Sequence, residues 1–299
     1  MPGDEVFFVQ FPHPGREPEA STGDTPWNTH DHHHRKFLIG PGRYLDAEDR
    51  IREGELVFWG EWEPPSRVER RWPACGRLPR ALHRPYWVNP IGVDKSFRQN
   101  TDPWVFGDAM LYSNCRQLGP RPWRRPNSMQ RLTRGSVICF GSTIDGEFCV
   151  DTVFVVASAW PWTPASSAGL KVGAAFRTCT ADSLMTAPGG AYLPLTLYRG
   201  ATVKDPVEGM FTFVPSRPAD VDDPRFARPQ VRLAGLIDPS IRRAAWGSKR
   251  PLTIARVRDA WEAILEQVRD AGLVPAVWLQ TPPRVTDRIS VPGSSGRHC

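Results

Sequence analysis

Apolar residues in this chain fall in short runs broken by proline and glycine, and only one stretch carries a helical period. EVFFVQF (5–11) reads as a buried strand that Pro12 ends. KFLIGPGRYL reads as two short strands around a turn at Gly40–Gly42, and ELVFWGEWE (55–63) as a strand stopped by Pro64 and Pro65. FGDAMLYSN (106–114), LPLTLYRG, GMFTFVPS and LVPAVWL have the same length and character. The clearest pair is SVICFGS (136–142) and EFCVDTVFVVAS (147–158), joined by TIDGE, whose Asp-Gly dipeptide suits a tight hairpin. The single helix spans 253–271, where Ile254, Val257, Trp261, Ile264, Leu265 and Val268 recur on one face and Gly272 supplies a stop. The expected fold is mainly β, of the α+β kind: a β-barrel-like core with long Arg/Pro-rich loops and one C-terminal amphipathic helix. One domain over 1–280 and a disordered tail over 281–299 complete it.

The loops between these runs are long. Residues 12–35 are polar and turn-rich, residues 66–104 hold only the apolar piece YWVNP (86–90), and residues 159–190 are rich in Gly, Ala and Thr. With Gly 25 and Pro 31 in 299 residues, a helix bundle is excluded and short strands with ordered loops are favoured. The formal net charge is +6, and arginine carries most of it in two windows, 67–84 and 116–134. Guanidinium groups make planar, bidentate contacts to phosphate, so nucleic acid is the expected partner. Arg35, Arg70, Arg71, Arg116, Arg124 and Arg125 are the candidate phosphate ligands. An Arg-for-Lys bias on ordinary exposed surface is the plain alternative.

The six cysteines show neither CxxC pairs nor zinc-ligand spacing, and two of them, Cys139 and Cys149, fall inside apolar strand-like runs. The N-terminus is acidic without a long apolar stretch, and no run reaches the length of a membrane span. A reduced, cytoplasmic protein without a membrane partner is expected.

Four segments carry candidate chemistry. Read as a strand, 55–63 puts Val57, Trp59 and Glu61 on one face and Phe58 and Trp62 on the other. A ring beside a proton acceptor is what a nucleobase pocket requires; the alternative is that both indoles are packed and Glu61 is capped by an arginine. The run His30, Asp31, His32, His33, His34 cannot place all its imidazoles on one ion, and one of them with His13 or His83 would make only a partial metal site. No metal or cofactor is therefore assigned; a solvated loop, a contact to phosphate, or an acid/base role for His34 are the readings. In 100–114, Asp102 and Asp108 read as turn organisers, while Ser113 and Asn114, after Tyr112, are candidate ligands for a base edge. Asp151 and Thr152 interrupt an apolar strand and must be hydrogen-bonded or face a cavity. No GxSxG elbow, P-loop, post-strand GxGxxG or HExxH is present.

Over about residues 55–158 the chain resembles the PUA-like superfamily of EVE, ASCH and YTH-type β-barrels. The matching pieces are YWVNP (86–90), GDAMLYS (107–113), GSVICF (135–140) and VDTVFVV (150–156). The two Arg/Pro insertions and the C-terminal helix have no counterpart in that pattern. The resemblance implies a small barrel that takes a flipped or single-stranded base into an aromatic pocket, as domains that sense modified bases in RNA or in phage defence do. On this reading Trp59, Trp62 and Tyr112 line the pocket, Glu61, Ser113 and Asn114 read polar edges, and the arginines hold phosphates. The alternative is an enzyme acting on nucleotides or nucleic-acid ends, with His34 and a carboxylate, Glu61 or Asp151, as acid and base; whether the chain is catalytic stays open. A protein partner bound by the loops and the helix is a third expectation.

Overall fold

A computed structural model describes residues 5–13, 17, 35–88, 101–118, 126–181, 194–241, 246–247 and 251–285. In chain order the strands are β1 (Phe8–Pro12), β2 (Arg35–Leu45), β3 (Ile51–Glu61), β4 (Ser66–Arg71), β5 (Ala81–Pro85), β6 (Leu111–Tyr112), β7 (Val137–Ile144), β8 (Glu147–Trp162), β9 (Leu195–Gly200), β10 (Val214–Pro218), β11 (Trp246–Gly247) and β12 (Val274–Leu279). They form two mixed sheets, ordered β11-β1-β7-β8-β9-β6 and β12-β10-β3-β2-β5-β4. β1 runs parallel to β7 and β2 parallel to β5, while the other pairings between strands are antiparallel. β12 pairs with both β10 and the far half of β2, which curls the second sheet back on itself. The fold is mainly β and barrel-like, as the strand pattern predicts.

The second half of β3 and the paired lengths of β7 and β8 are covered on both faces, so they read as apolar runs. On β3, Leu56 and Phe58, with Trp62 just after the strand, join one core cluster while Val57 and Trp59 join the other. β7 and β8 divide in the same way, with Ile138, Phe140, Phe154 and Val156 on one side and Val137, Cys139, Val153 and Val155 on the other. The β7–β8 hairpin turns at Asp145 and Gly146, both with positive φ (50° and 83°), the left-handed pair that a two-residue hairpin needs.

The helix runs Ile254–Asp270. Thr253 accepts the Arg256 N–H as its N-cap, and Gly272 (φ 71°) closes it while Leu273 N–H reaches Val268 C=O. Val257, Ala260, Trp261, Ile264, Leu265 and Val268 are buried against the second core cluster. The apolar face of the helix is thus consumed inside the protein, which removes it as a docking face for a partner.

Three strand expectations change. β2 is one continuous strand, paired with β3 from Arg35↔Glu61 to Leu45↔Ile51, and the Gly-Pro-Gly triplet does not turn it. Its other edge passes from β5 to β12 around Pro41, where no ladder donor is required. Gly42 is needed because a Cβ there would lie 2.7 Å from Leu56 Cδ1 and 2.8 Å from Trp278 C=O. Second, the Arg/Pro segment expected as loop contains the β4–β5 hairpin. Third, of residues 106–114 only Leu111 and Tyr112 pair as a strand.

Candidate functional site

Both sheets contribute to a buried knot of charge. Arg35 opens β2 and lies directly across from Glu61, the last residue of β3. Glu61 Oε2 accepts from Arg35 Nη1 at 2.8 Å and lies 2.6 Å from Nδ1 of His13, which follows β1. Arg35 Nε stands 3.1 Å from Asp151 Oδ2, which projects from β8 in the other sheet. Arg228 adds an ion pair to Asp151 (3.7 Å), donates to Ser142 Oγ (2.9 Å), and lies over the Trp59 ring at 4.3 Å from its centroid. No side chain of His13, Arg35, Glu61, Asp151 or Arg228 is more than 4% exposed.

Charges so deeply buried persist only when paired. Two guanidiniums face two carboxylates here, with the imidazole on the Glu61 oxygen. Burial pushes the Asp151 carboxyl up, and Arg228 and Arg35 oppose that push. Arg35 Nη2 donates to no acceptor among the described residues, so the knot keeps a spare donor.

A second polar centre lies close by. The Asp102 carboxylate accepts the backbone N–H groups of Ser113, Asn114 and Cys115 at 2.8, 3.0 and 2.7 Å, the turn-organising role expected for it. Burial raises its pKa to about 6 against those bonds, and the charge of Glu61 pushes the same way.

Of the residues expected to act, the structure brings Arg35, Trp59, Glu61 and Asp151 together. It does not build an open base pocket from the aromatic set. Trp59 has Arg228 on its face and donates Nε1–H to Phe226 C=O; Trp62 donates to Pro65 C=O and is 1% exposed. Tyr112 stacks on Tyr198 at 5.5 Å and donates to Cys115 C=O. Ser113 is fully buried on Asp102, and Asn114 donates from Nδ2 to Ser113 Oγ. These groups are spent on packing and loop geometry, which corrects their assignment as lining of a pocket. Arg35 is likewise corrected from phosphate ligand to buried ion-pair partner.

Arg116 is half-buried over the Phe11 ring at 5.2 Å, and burial lowers its pKa. Arg70 and Arg71 stay exposed on β4. His30, His32, His33, His34, Arg124 and Arg125 lie outside the described residues. Residues 14–34, which hold the histidine run, lead from His13 to Arg35, the two side chains that share Glu61. Among the described residues, no three His, Cys, Asp or Glu side chains are grouped to hold a metal ion.

Sequence reasoning missed Arg228, which sits in a stretch without strand or helix, and treated His13 only as a partner for the histidine run. The signal available for His13 was its position directly after a fully buried strand.

β4 is the outer strand of its sheet, and Arg67, Arg70 and Arg71 on it form no ion pair among the described residues. Trp72 follows, with the guanidinium carbons of Arg70 and Arg225 at 5.8 and 5.2 Å from its ring centroid. No helix among the described residues is long and apolar enough to cross a membrane. Comparison with known proteins found no matching family model, no matching curated protein and no matching solved structure.

Proposed function

We propose that the protein binds nucleic acid, with the β4 edge holding the phosphate backbone. The observation that carries this reading is the row Arg67, Arg70 and Arg71, exposed and without acidic partners among the described residues, ending at a Trp72 ring flanked by two guanidiniums. Such a row offers planar donors to phosphates. The same charges keep the edge strand from pairing with another sheet. The net charge of +6 and the PUA-like resemblance of residues 55–158 point the same way.

The test is fluorescence anisotropy with labelled 20-nucleotide single-stranded DNA and RNA. Binding should weaken steeply with added salt, and the Arg67→Glu, Arg70→Glu, Arg71→Glu triple variant should lose both affinity and most of the salt slope. No binding at low salt, or an unaltered slope in the variant, would overturn the reading.

A second reading, an enzyme acting on nucleotides or nucleic-acid ends, is favoured by the buried knot. His13 and Glu61 form an imidazole–carboxylate pair, with Asp151 joined to the same Arg35 guanidinium. Arg35 Nη2 has no acceptor there among the described residues. If Glu61→Gln and Asp151→Asn variants that remain folded turn over nucleotides and end-labelled oligonucleotides as the parent does, or if the parent turns over none, this reading fails.

A further inference from the structure

At the far end of the first sheet, β8 and β9 run on as a two-strand arm, and a cleft of about 930 Å³ opens beside it. Trp160, on β8, forms one wall and is 44% exposed, a large apolar ring left in water. Trp104 and Phe176 line the same cleft; their rings pack edge to face at 5.8 Å and are almost wholly buried. Arg199 on β9 and Lys171 line it as well, both exposed, and neither forms an ion pair among the described residues. Among the described residues that line it, Asp108 supplies the one carboxylate.

From this placement we propose that the cleft binds a nucleoside phosphate, either as a free nucleotide or as one unit of a strand. The volume lies within the range of small-molecule sites. An exposed indole presents a flat face that a heteroaromatic base covers by stacking, which corresponds to about a five- to hundredfold gain in affinity. The guanidinium of Arg199 and the ammonium of Lys171 are matched to phosphate oxygens. Asp108 is an acceptor for a base amino or imino group. Two cations against one carboxylate leave the cleft positive, which suits an anion. The inference stands apart from the strand-binding reading, because Trp160 and Arg199 belong to the first sheet and the β4 arginines to the second.

The test is titration of the whole protein with each of the four ribonucleoside 5′-monophosphates, with adenosine, with inorganic phosphate, and with a ten-nucleotide single-stranded DNA. Calorimetry and quenching of indole emission are the readouts. A monophosphate should bind more tightly than adenosine or phosphate alone, and Trp160→Ala and Arg199→Ala should each weaken it by about tenfold or more, with Trp160→Phe retaining most of the affinity. The Arg67→Glu, Arg70→Glu, Arg71→Glu variant should leave monophosphate binding unchanged. If only the ten-nucleotide strand binds and Trp160→Ala weakens it tenfold, the cleft takes a strand unit and the proposal holds. It is overturned if neither monophosphate nor strand binds. It is equally overturned if Trp160→Ala and Arg199→Ala, with unaltered helical circular dichroism, bind as the parent does. Strand binding indifferent to Trp160 but lost in the β4 variant, with no monophosphate bound, would end this proposal and keep the strand-binding one.

Discussion

Arg228 lies over the indole of Trp59 with its guanidinium carbon 4.3 Å from the ring centroid, occupying the face on which a planar ligand would stack. The same guanidinium supports Asp151 and Ser142. Truncation by Arg228→Ala removes one of the two cations beside a buried carboxylate and empties the space above the ring. Urea denaturation should register a loss of about 3 kcal/mol. Replacing both members at once, Arg228→Met with Asp151→Leu, should cost less than the sum of the two single changes, because neither then leaves a charge alone.

Glu61 should be the most sensitive position of the knot. Glu61→Ala leaves the Arg35 guanidinium beside one carboxylate only, and takes the acceptor from His13 Nδ1. A loss of about 3–5 kcal/mol is expected, read as a shift of the urea midpoint with unchanged slope. Glu61→Gln keeps the shape and one acceptor and should lose less than half of that.

Gly42 has no room for a methyl group. Its hypothetical Cβ meets the Trp278 carbonyl oxygen, a backbone atom that cannot rotate away. Gly42→Ala should cost about 1–3 kcal/mol by forcing β2 and β12 apart. Gly40→Ala, one turn of the pleat away and with nothing near its Cβ, is the control and should be close to neutral. Thermal unfolding of the two variants side by side decides it.

His83 carries a pH signature. Burial, then the charges of Lys36 and Arg71, lowers its pKa from 6.5 to about 3. Between those values the unfolded chain binds a proton that the native ring refuses. Stability from this group is therefore complete above pH 6.5 and declines as pH falls towards 3, by up to about 1.4 kcal/mol per unit. Asp102 acts in the opposite sense: with its pKa raised to about 6, the native state holds the proton longer, and stability falls as pH rises from 3.8 to 6. The difference between the parent and His83→Gln in chemical denaturation at pH 7 and pH 4.5 isolates the histidine. The variant should lose less on acidification than the parent does.

Much of the fold was legible because apolar alternation is a local property. The β7–β8 hairpin, the 254–270 helix with its Thr253 cap, and the facing of Trp59 and Glu61 all follow from spacing along one segment. What escaped depended on partners distant in the chain. Gly-Pro-Gly in β2 resembles a turn until β12, more than two hundred residues on, is seen lying against Gly42. The β4–β5 hairpin is polar on its outer side and so lacks the apolar signature of a strand. Trp59 and Glu61 share a face as expected, yet Arg228 and His13 fill that face from remote segments, and no spacing rule reaches them.

One oxygen of Glu61 grips His13 at the exit of β1 and Arg35 at the entrance of β2, so a single carboxylate joins the ends of two strands from different sheets. Cutting the polypeptide anywhere between those two residues would leave both stumps fastened to the same rivet. The fragment carrying β1 would stay held by that carboxylate and by its parallel pairing with β7, so new termini placed in that stretch should leave β1 in register.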